Sequence, residues 1–317
     1  AQYPISDNFI RNKNRMIKTP PYLQKGDIIG LVCPAGYMEA EKVQTCIQTL
    51  KNWGYQVKVG NTVGSSSGTY FSGSDEERLT DLQQMLDDEE VKAVLCARGG
   101  YGTGRIIEDV RFRKFRNNPK WIIGYSDITV LHLHLYSNYY ISSLHSPMAA
   151  AFNDGGHSNP YVASLRDVLE GKKIKYTCPP HDFNRRGEAE GELVGGNLAL
   201  LAHLLGTGSD VKTKGRILFI EDVGEQLYNI DRMMQQLKRS GKLSKLAGLV
   251  VGIFSDVKDT ERPFGQTTHE IIWEVIKEYD YPVCFDFPVS HTDLNYALKI
   301  GVEYKLKITN SKVLLQE

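Results

Sequence analysis

The chain has 317 residues, 41% of them hydrophobic and 24% charged, which is ample for a buried core and favours two domains over one. Lys plus Arg and Asp plus Glu both total 38, so the formal net charge is zero. The excess of positive charge that nucleic-acid binders concentrate is therefore absent, the local basic run Arg111 to Arg116 apart. No apolar stretch reaches the roughly 18 residues of a membrane-spanning helix.

The start, AQYPISDNFIRNKNRMIKTPPYLQ, is polar, carries no signal-peptide apolar core and lacks an initiator Met. It reads as a trimmed end or as the mature end of a processed precursor. Apolar runs then alternate with amphipathic ones. Strands are expected at Asp27 to Pro34, Gln56 to Gly60, Val91 to Cys96 and Trp121 to Ile123. Helices are expected at Ala40 to Trp53, Asp75 to Leu86 and Asp127 to Tyr136. This alternation predicts a parallel sheet covered by helices on both faces, a flavodoxin-like α/β domain over residues 1–155. Such sheets take ligands at the carboxyl ends of their strands.

Residues 156–189 change character, with Pro160, Pro179, Pro180 and several charges, and read as an interdomain connection that is helical near Tyr161 to Leu169. Residues 190–317 form the second domain, α/β or mainly β. Its strands are expected at Arg216 to Ile220, Leu246 to Phe254, Val283 to Phe287, Lys299 to Val302 and Tyr304 to Ile308. Its helices are expected around Ile230 to Leu237 and at Thr268 to Glu278. The cysteines Cys33, Cys46, Cys96, Cys178 and Cys284 are scattered without a C-x-x-C pair. Neither a zinc site nor a disulfide framework is expected, and a reducing compartment fits best.

Two constellations carry chemistry. In WIIGYSDITVLHLHL, Ser126 stands at a strand-to-helix turn, where a hydroxyl projects from the sheet edge and the following N–H groups point at the same space. Taken alone, a helix cap by Ser126 or Asp127 is the commoner reading, and Ile128 occupies the position where a G-x-S-x-G elbow has glycine. Strand VKAVLCA leads into RGGYGTGR, Arg98 to Arg105, a glycine-rich loop without a Walker or dinucleotide-binding pattern. Gly99 and Gly100 permit close approach to a ligand.

The second constellation lies in the back half. Glu221 is the first residue out of RILFI, with Asp222 and Glu225 competing for its place. His291 follows the strand-like FDFPV, and among the eight histidines His145 is the second candidate. A serine hydroxyl needs a base to take its proton and a carboxylate to hold that base in the right tautomer. Ser126, Glu221 and His291 meet that need only if the fold unites them.

The stretches LVCPAG, ARGGYGTGR, IIGYSDIT, LHSPM, GGNLALLAHLLGT, FIEDVGEQLYNIDRMMQQL and FPVSHTDLN together resemble the LD-carboxypeptidase family, which also contains the microcin C immunity peptidases. The resemblance runs from about Lys25 to Ile308. It implies a two-domain serine peptidase with its active site in the cleft between the domains and Ser126, Glu221 and His291 as its triad. The backbone N–H groups of Gly100 and Asp127 would hold the oxyanion. Arg98, Gly99, Tyr101 and Arg105 would lie toward the substrate. It further implies release of terminal D-alanine from peptidoglycan stem tetrapeptides, no metal or other cofactor, a homodimer, and a cytoplasmic location (periplasmic if the start is a processed end). Ser146 and Ser290 stand where the family often has glycine, which bears on substrate preference. The competing expectations are a peptidase for aminoacyl-nucleotide mimics and a non-catalytic muropeptide-binding protein.

Overall fold

The computed structural model describes residues 16–317, so most of the polar start, read above as carrying no signal-peptide apolar core, lies outside the described residues. In chain order its elements begin with β1 (Ile28–Val32), α1 (Gln44–Asn52), β2 (Gln56–Val59), α2 (Asp75–Asp87), β3 (Val91–Cys96), α3 (Thr103–Ile106), α4 (Arg113–Asn117), β4 (Trp121–Gly124), α5 (Thr129–Tyr139) and β5 (Ser143–His145). They continue with α6 (Pro160–Leu169), β6 (Lys175–Cys178), β7 (Gly187–Asn197), α7 (Leu198–His203), β8 (Ile217–Val223), α8 (Leu227–Arg239), β9 (Gly248–Ser255), α9 (Thr268–Ile276), β10 (Val283–Phe287), β11 (Leu298–Ile300), β12 (Glu303–Ile308) and β13 (Val313–Gln316).

Among the described residues the strands form two sheets. The first has the order β11-β5-β4-β3-β1-β2 and is parallel except for β11, which runs antiparallel to β5. The second has the order β10-β9-β8-β7-β12-β13-β6. Its first four strands are parallel, and β12, β13 and β6 extend it antiparallel. The expected α/β architecture is present, with a mixed second sheet.

The side-chain alternation of β3 shows why helices cover both faces of the first sheet. Val94 and Cys96 pack in one apolar cluster with Leu82 and Met85 of α2, while Ala93 and Leu95 pack in another with Cys46 and Leu50 of α1. A strand buried on both sides reads as a continuous apolar run, as VKAVLC does. The helix starts are chemically marked. Ser74 and Glu77 form a reciprocal capping box on α2, and Thr267 and Glu270 do the same on α9.

The two sheets share their core. Val194 and Leu218 of the second sheet lie in the cluster that holds Ile128 and Leu131, directly after the predicted nucleophile. Asn197 N–H donates to Thr129 Oγ1 at 3.2 Å, tying the end of β7 to the start of α5.

Several features differ from the sequence reading, among them β13, which had no assignment, and the strand read at Lys299 to Val302, which is Leu298–Ile300 and joins the first sheet. The stretch 156–189 contains α6 as expected, but Lys175–Cys178 is also an edge strand of the second sheet, paired with β13. GEAEGELVGGN, without a strand assignment above, is the long strand β7. The strand read as ending at Ile220 continues to Val223.

Candidate active site

Ser126 opens a single 3₁₀ turn, Ser126–Ile128, between β4 and α5. Its φ is +63°, a left-handed conformation that costs a non-glycine residue roughly 1–3 kcal/mol and persists only where the surroundings enforce it. Ile128, at the position where a G-x-S-x-G elbow has glycine, is fully buried in the core. Asp127 is buried too, and its side chain does not cap α5. Its Oδ2 accepts the Thr103 N–H at 2.8 Å, which pins the far end of the glycine-rich loop to the residue after the serine. Burial pushes the Asp127 carboxyl up, against the Thr103 hydrogen bonds and the Arg78 charge.

The loop passes over the serine with no room to spare. A Cβ on Gly99 would lie 2.9 Å from Ser126 Cβ, 3.2 Å from its Oγ and 3.3 Å from Asp127 N. Only glycine allows this approach. Gly99 O accepts Gly36 N–H at 2.9 Å, and Gly100 follows at φ +92°. The loop is buttressed from below by Arg78, a fully buried guanidinium whose Nη1 donates to Pro34 O at 2.7 Å and Gly102 O at 3.0 Å.

Of the flanking candidates, Arg98 donates to the Tyr37 carbonyl. Arg105 is committed to Asp75 by two parallel bonds, Nε to Oδ1 at 2.9 Å and Nη2 to Oδ2 at 2.7 Å. Tyr101 is half-exposed and its ring lies 5.9 Å from that of Phe71.

On the opposite side, Glu221 is fully buried within β8, not just beyond it as the sequence suggested. The register between β8 and β9 shifts between Ile220 and Asp222, where one residue of β8 faces two of β9. Such a bulge re-aims side chains beside a site. Gly252 makes the room, since a Cβ there would lie 3.1 Å from Glu221 Cβ and 2.3 Å from Val289 O.

Glu221 Oε2 and His291 Nδ1 are 2.6 Å apart, and the imidazole is mostly buried. Burial alone would lower the His291 pKa, but the hydrogen bond and charge of Glu221, helped by Asp222, hold it above the ordinary 6.5. The competing carboxylates are engaged elsewhere. Asp222 accepts from Asn197 Nδ2 at 2.8 Å and Ala199 N at 2.9 Å, with burial lifting its carboxyl to about 6. Glu225 accepts from Asn229 Nδ2 at 3.0 Å.

The two sides meet at Tyr125. This residue, one before the serine, sets its ring 4.8 Å from the His291 ring at 62°. Thus the structure packs Gly99 against Ser126 and sets the ring of Tyr125, the residue before that serine, on the imidazole of the Glu221–His291 pair. His145, the second histidine candidate, is fully buried and faces Asn295 rather than a carboxylate. His269, which had no sequence context, bonds Asp286 at 2.8 Å and stacks on His181. Tyr125, Gly252 and Asn295 were missed. Only Gly252 left a trace, a glycine inside the apolar strand LVVGIF.

The family model described as LD-carboxypeptidase N-terminal domain matches residues 29–146, and that described as LD-carboxypeptidase C-terminal domain matches residues 190–306. A probable murein peptide carboxypeptidase of Bacillus subtilis is 37% identical over 300 residues, 94% of each chain. The crystal structure of muramoyltetrapeptide carboxypeptidase from Oxalobacter formigenes superposes with a TM-score of 0.82 at 30% identity, covering 91% of this chain and 98% of that one. The microcin C7 self-immunity protein MccF of Escherichia coli is 25% identical over 95% of this chain and 98% of its own. No helix among the described residues is long and apolar enough to cross a membrane. The chain belongs to the LD-carboxypeptidase family and is a carboxypeptidase.

Proposed function

We propose that the chain hydrolyses the bond before the terminal D-alanine of peptidoglycan stem tetrapeptides, with Ser126 as nucleophile, His291 as base and Glu221 as its orienting carboxylate. The observation that carries this is the 2.6 Å Glu221–His291 bond closed against Tyr125, the residue adjoining the strained serine. With Nδ1–H donated to Glu221, the neutral imidazole offers Nε2 as the base.

His291 takes the Ser126 proton as Oγ attacks the scissile carbonyl. The N–H groups of Asp127 and Gly100 hold the tetrahedral oxyanion, and fixed backbone dipoles of this kind require no reorganisation as charge develops. His291 then passes its proton to the departing amine, and water releases the acyl group by the same route in reverse. The substrate's terminal carboxylate calls for a cation. Arg98, whose bonded partner is a neutral carbonyl, suits this better than Arg105, which Asp75 already neutralises.

The likeness to the probable murein peptide carboxypeptidase of B. subtilis and the muramoyltetrapeptide carboxypeptidase of O. formigenes supports the murein substrate, at higher identity than the likeness to MccF. The two matched segments, 29–146 and 190–306, support two units, with β6 of the connecting stretch joining the second sheet and β11 of the second segment crossing to the first. Five buried, unpaired cysteines suit a reducing, cytoplasmic location rather than a periplasmic one. A second copy of the chain is the partner that the family resemblance implies.

The test is digestion of whole muropeptides followed by mass spectrometry. Loss of one terminal alanine is expected. A folded Ser126→Ala protein should lose about 10⁴-fold or more of that activity. Normal turnover by this variant would overturn the mechanism, and cleavage of acyl-sulfamoyl nucleotides in place of muropeptides would overturn the substrate.

A further inference from the structure

His145 sits at a junction of the first sheet. It closes β5, the strand between β4, which leads into the serine elbow, and β11, which follows the His291 loop. Its Cα pairs with Gly124 on one side and Leu298 on the other. The side chain is fully buried. One of its nitrogens, Nε2, lies 3.0 Å from Asn295 Oδ1. The same oxygen accepts the Ser290 N–H at 3.3 Å. A backbone N–H can only donate, so the Asn295 atom between the two is the carbonyl oxygen, and the His145 proton resides on Nε2. Nδ1 is then a buried acceptor without a partner among the described residues.

This hydrogen-bond pair fixes the segment that carries His291. Ser290 directly precedes the imidazole, and Asn295 closes the loop four residues after it. The rings add a second link. Tyr125 packs on His145 at 5.7 Å and on His291 at 4.8 Å, and His145 meets Phe219, two residues before Glu221, edge-on at 5.1 Å. A single buried imidazole thus contacts the elbow, the loop and the carboxylate's strand. Burial holds it down to about 3, so it stays neutral and keeps one tautomer over the working pH range.

We infer that His145 is a positioning residue which, through Asn295, sets the His291 loop against the Ser126 elbow. This rests on the serine mechanism above, and the experiment separates the two. The readouts are the rate at which a fluorophosphonate labels Ser126, which needs an activated serine but no knowledge of the substrate, and kcat against KM on the muropeptide.

His145→Phe keeps the bulk and the ring contacts but removes the donor. It should slow labelling and lower kcat on the order of 10- to 100-fold, the scale of a small misplacement of a catalytic group. KM should stay within about two-fold, because ground-state binding is untouched. His145→Gln restores an N–H near Nε2 and should recover most of the loss. Asn295→Ala should match His145→Phe, and the double variant should be no worse than Asn295→Ala alone.

Wild-type rates in His145→Phe, equal losses in Phe and Gln variants, or additive losses in the double variant would each overturn the inference. If His145→Phe does not fold, Asn295→Ala against Asn295→Asp, which keeps the acceptor oxygen, decides by the same rates. Equal rates there would also sink it. Absence of labelling in the wild-type protein would instead count against the serine mechanism.

Discussion

The two halves of the proposed site are built by different means. The nucleophile side is a product of local backbone. Ser126 at φ +63° and the turn Ser126–Ile128 are set within one short stretch, over which the glycine-rich loop from the neighbouring strand β3 is packed. The imidazole side is a product of sheet register. Glu221 and His291 are 70 residues apart and meet because a bulge between β8 and β9 coincides with Gly252 and with the chain leaving β10. A tight turn carries the Ser126 hydroxyl, and the loop packed over it holds that turn in place. Holding a base in one tautomer takes long-range pairing.

Three substitutions sharpen this contrast. The largest effect is expected on the imidazole side, where Glu221→Gln keeps the shape but loses the charge and the tautomer preference. It should lower kcat by about 10³- to 10⁴-fold in steady-state assays. It should also move the acid limb of the pH profile. The base must be neutral to work, and the wild-type His291 pKa is raised, so wild-type activity should be lost as pH falls through a value above 6.5. Without the carboxylate that limb should move to lower pH. An unmoved limb would show that Glu221 does not set the base.

A smaller loss belongs to the nucleophile side. Gly99→Ala places a methyl 2.9 Å from Ser126 Cβ and displaces the loop that carries Gly100. A fall in kcat of about 10²- to 10³-fold is expected, the scale of one lost oxyanion donor. Little change in thermal midpoint should accompany it, because the strain can be relieved by shifting the loop. An unaltered kcat would remove Gly99–Gly100 from the site. The smallest effect is expected at the rim. Arg105→Gln breaks an exposed, solvent-screened pair with Asp75, and such pairs contribute little to stability. KM should change by no more than about five-fold, and the thermal midpoint should barely move. A much larger rise in KM would make Arg105, not Arg98, the carboxylate partner.

The same contrast decides what the sequence could reveal. GYSD and RGGYG were legible because each is contiguous and their residue types are demanded by backbone geometry. The strands VKAVLC and VCFDF were legible because burial on both faces writes an unbroken or nearly unbroken apolar run. By contrast, β7 was missed because its first half, GEAEGE, is polar and half-exposed, and its strand character comes from pairing with β12. Strand β6 was hidden in a stretch bounded by prolines and pairs with a segment over 130 residues away. Glu221 is singled out by the sequence as the first residue beyond a strand, yet the strand runs past it, because a bulge is invisible without the partner's register. His145 drew notice as a histidine beyond a strand. Only its neighbours separate a neutral buried ring from a base.

Strand β11 has a consequence for how the molecule can be made. These three residues come from the tail of the chain but zip onto the edge of the first sheet, with Ser142 Oγ donating to Ile300 O at 2.7 Å across 158 residues. The leading segment therefore cannot finish its own sheet while it emerges during synthesis. It must wait, with β5 as an open edge, until nearly everything else has been translated. An isolated fragment ending before β11 should expose that edge to pairing with other copies of itself.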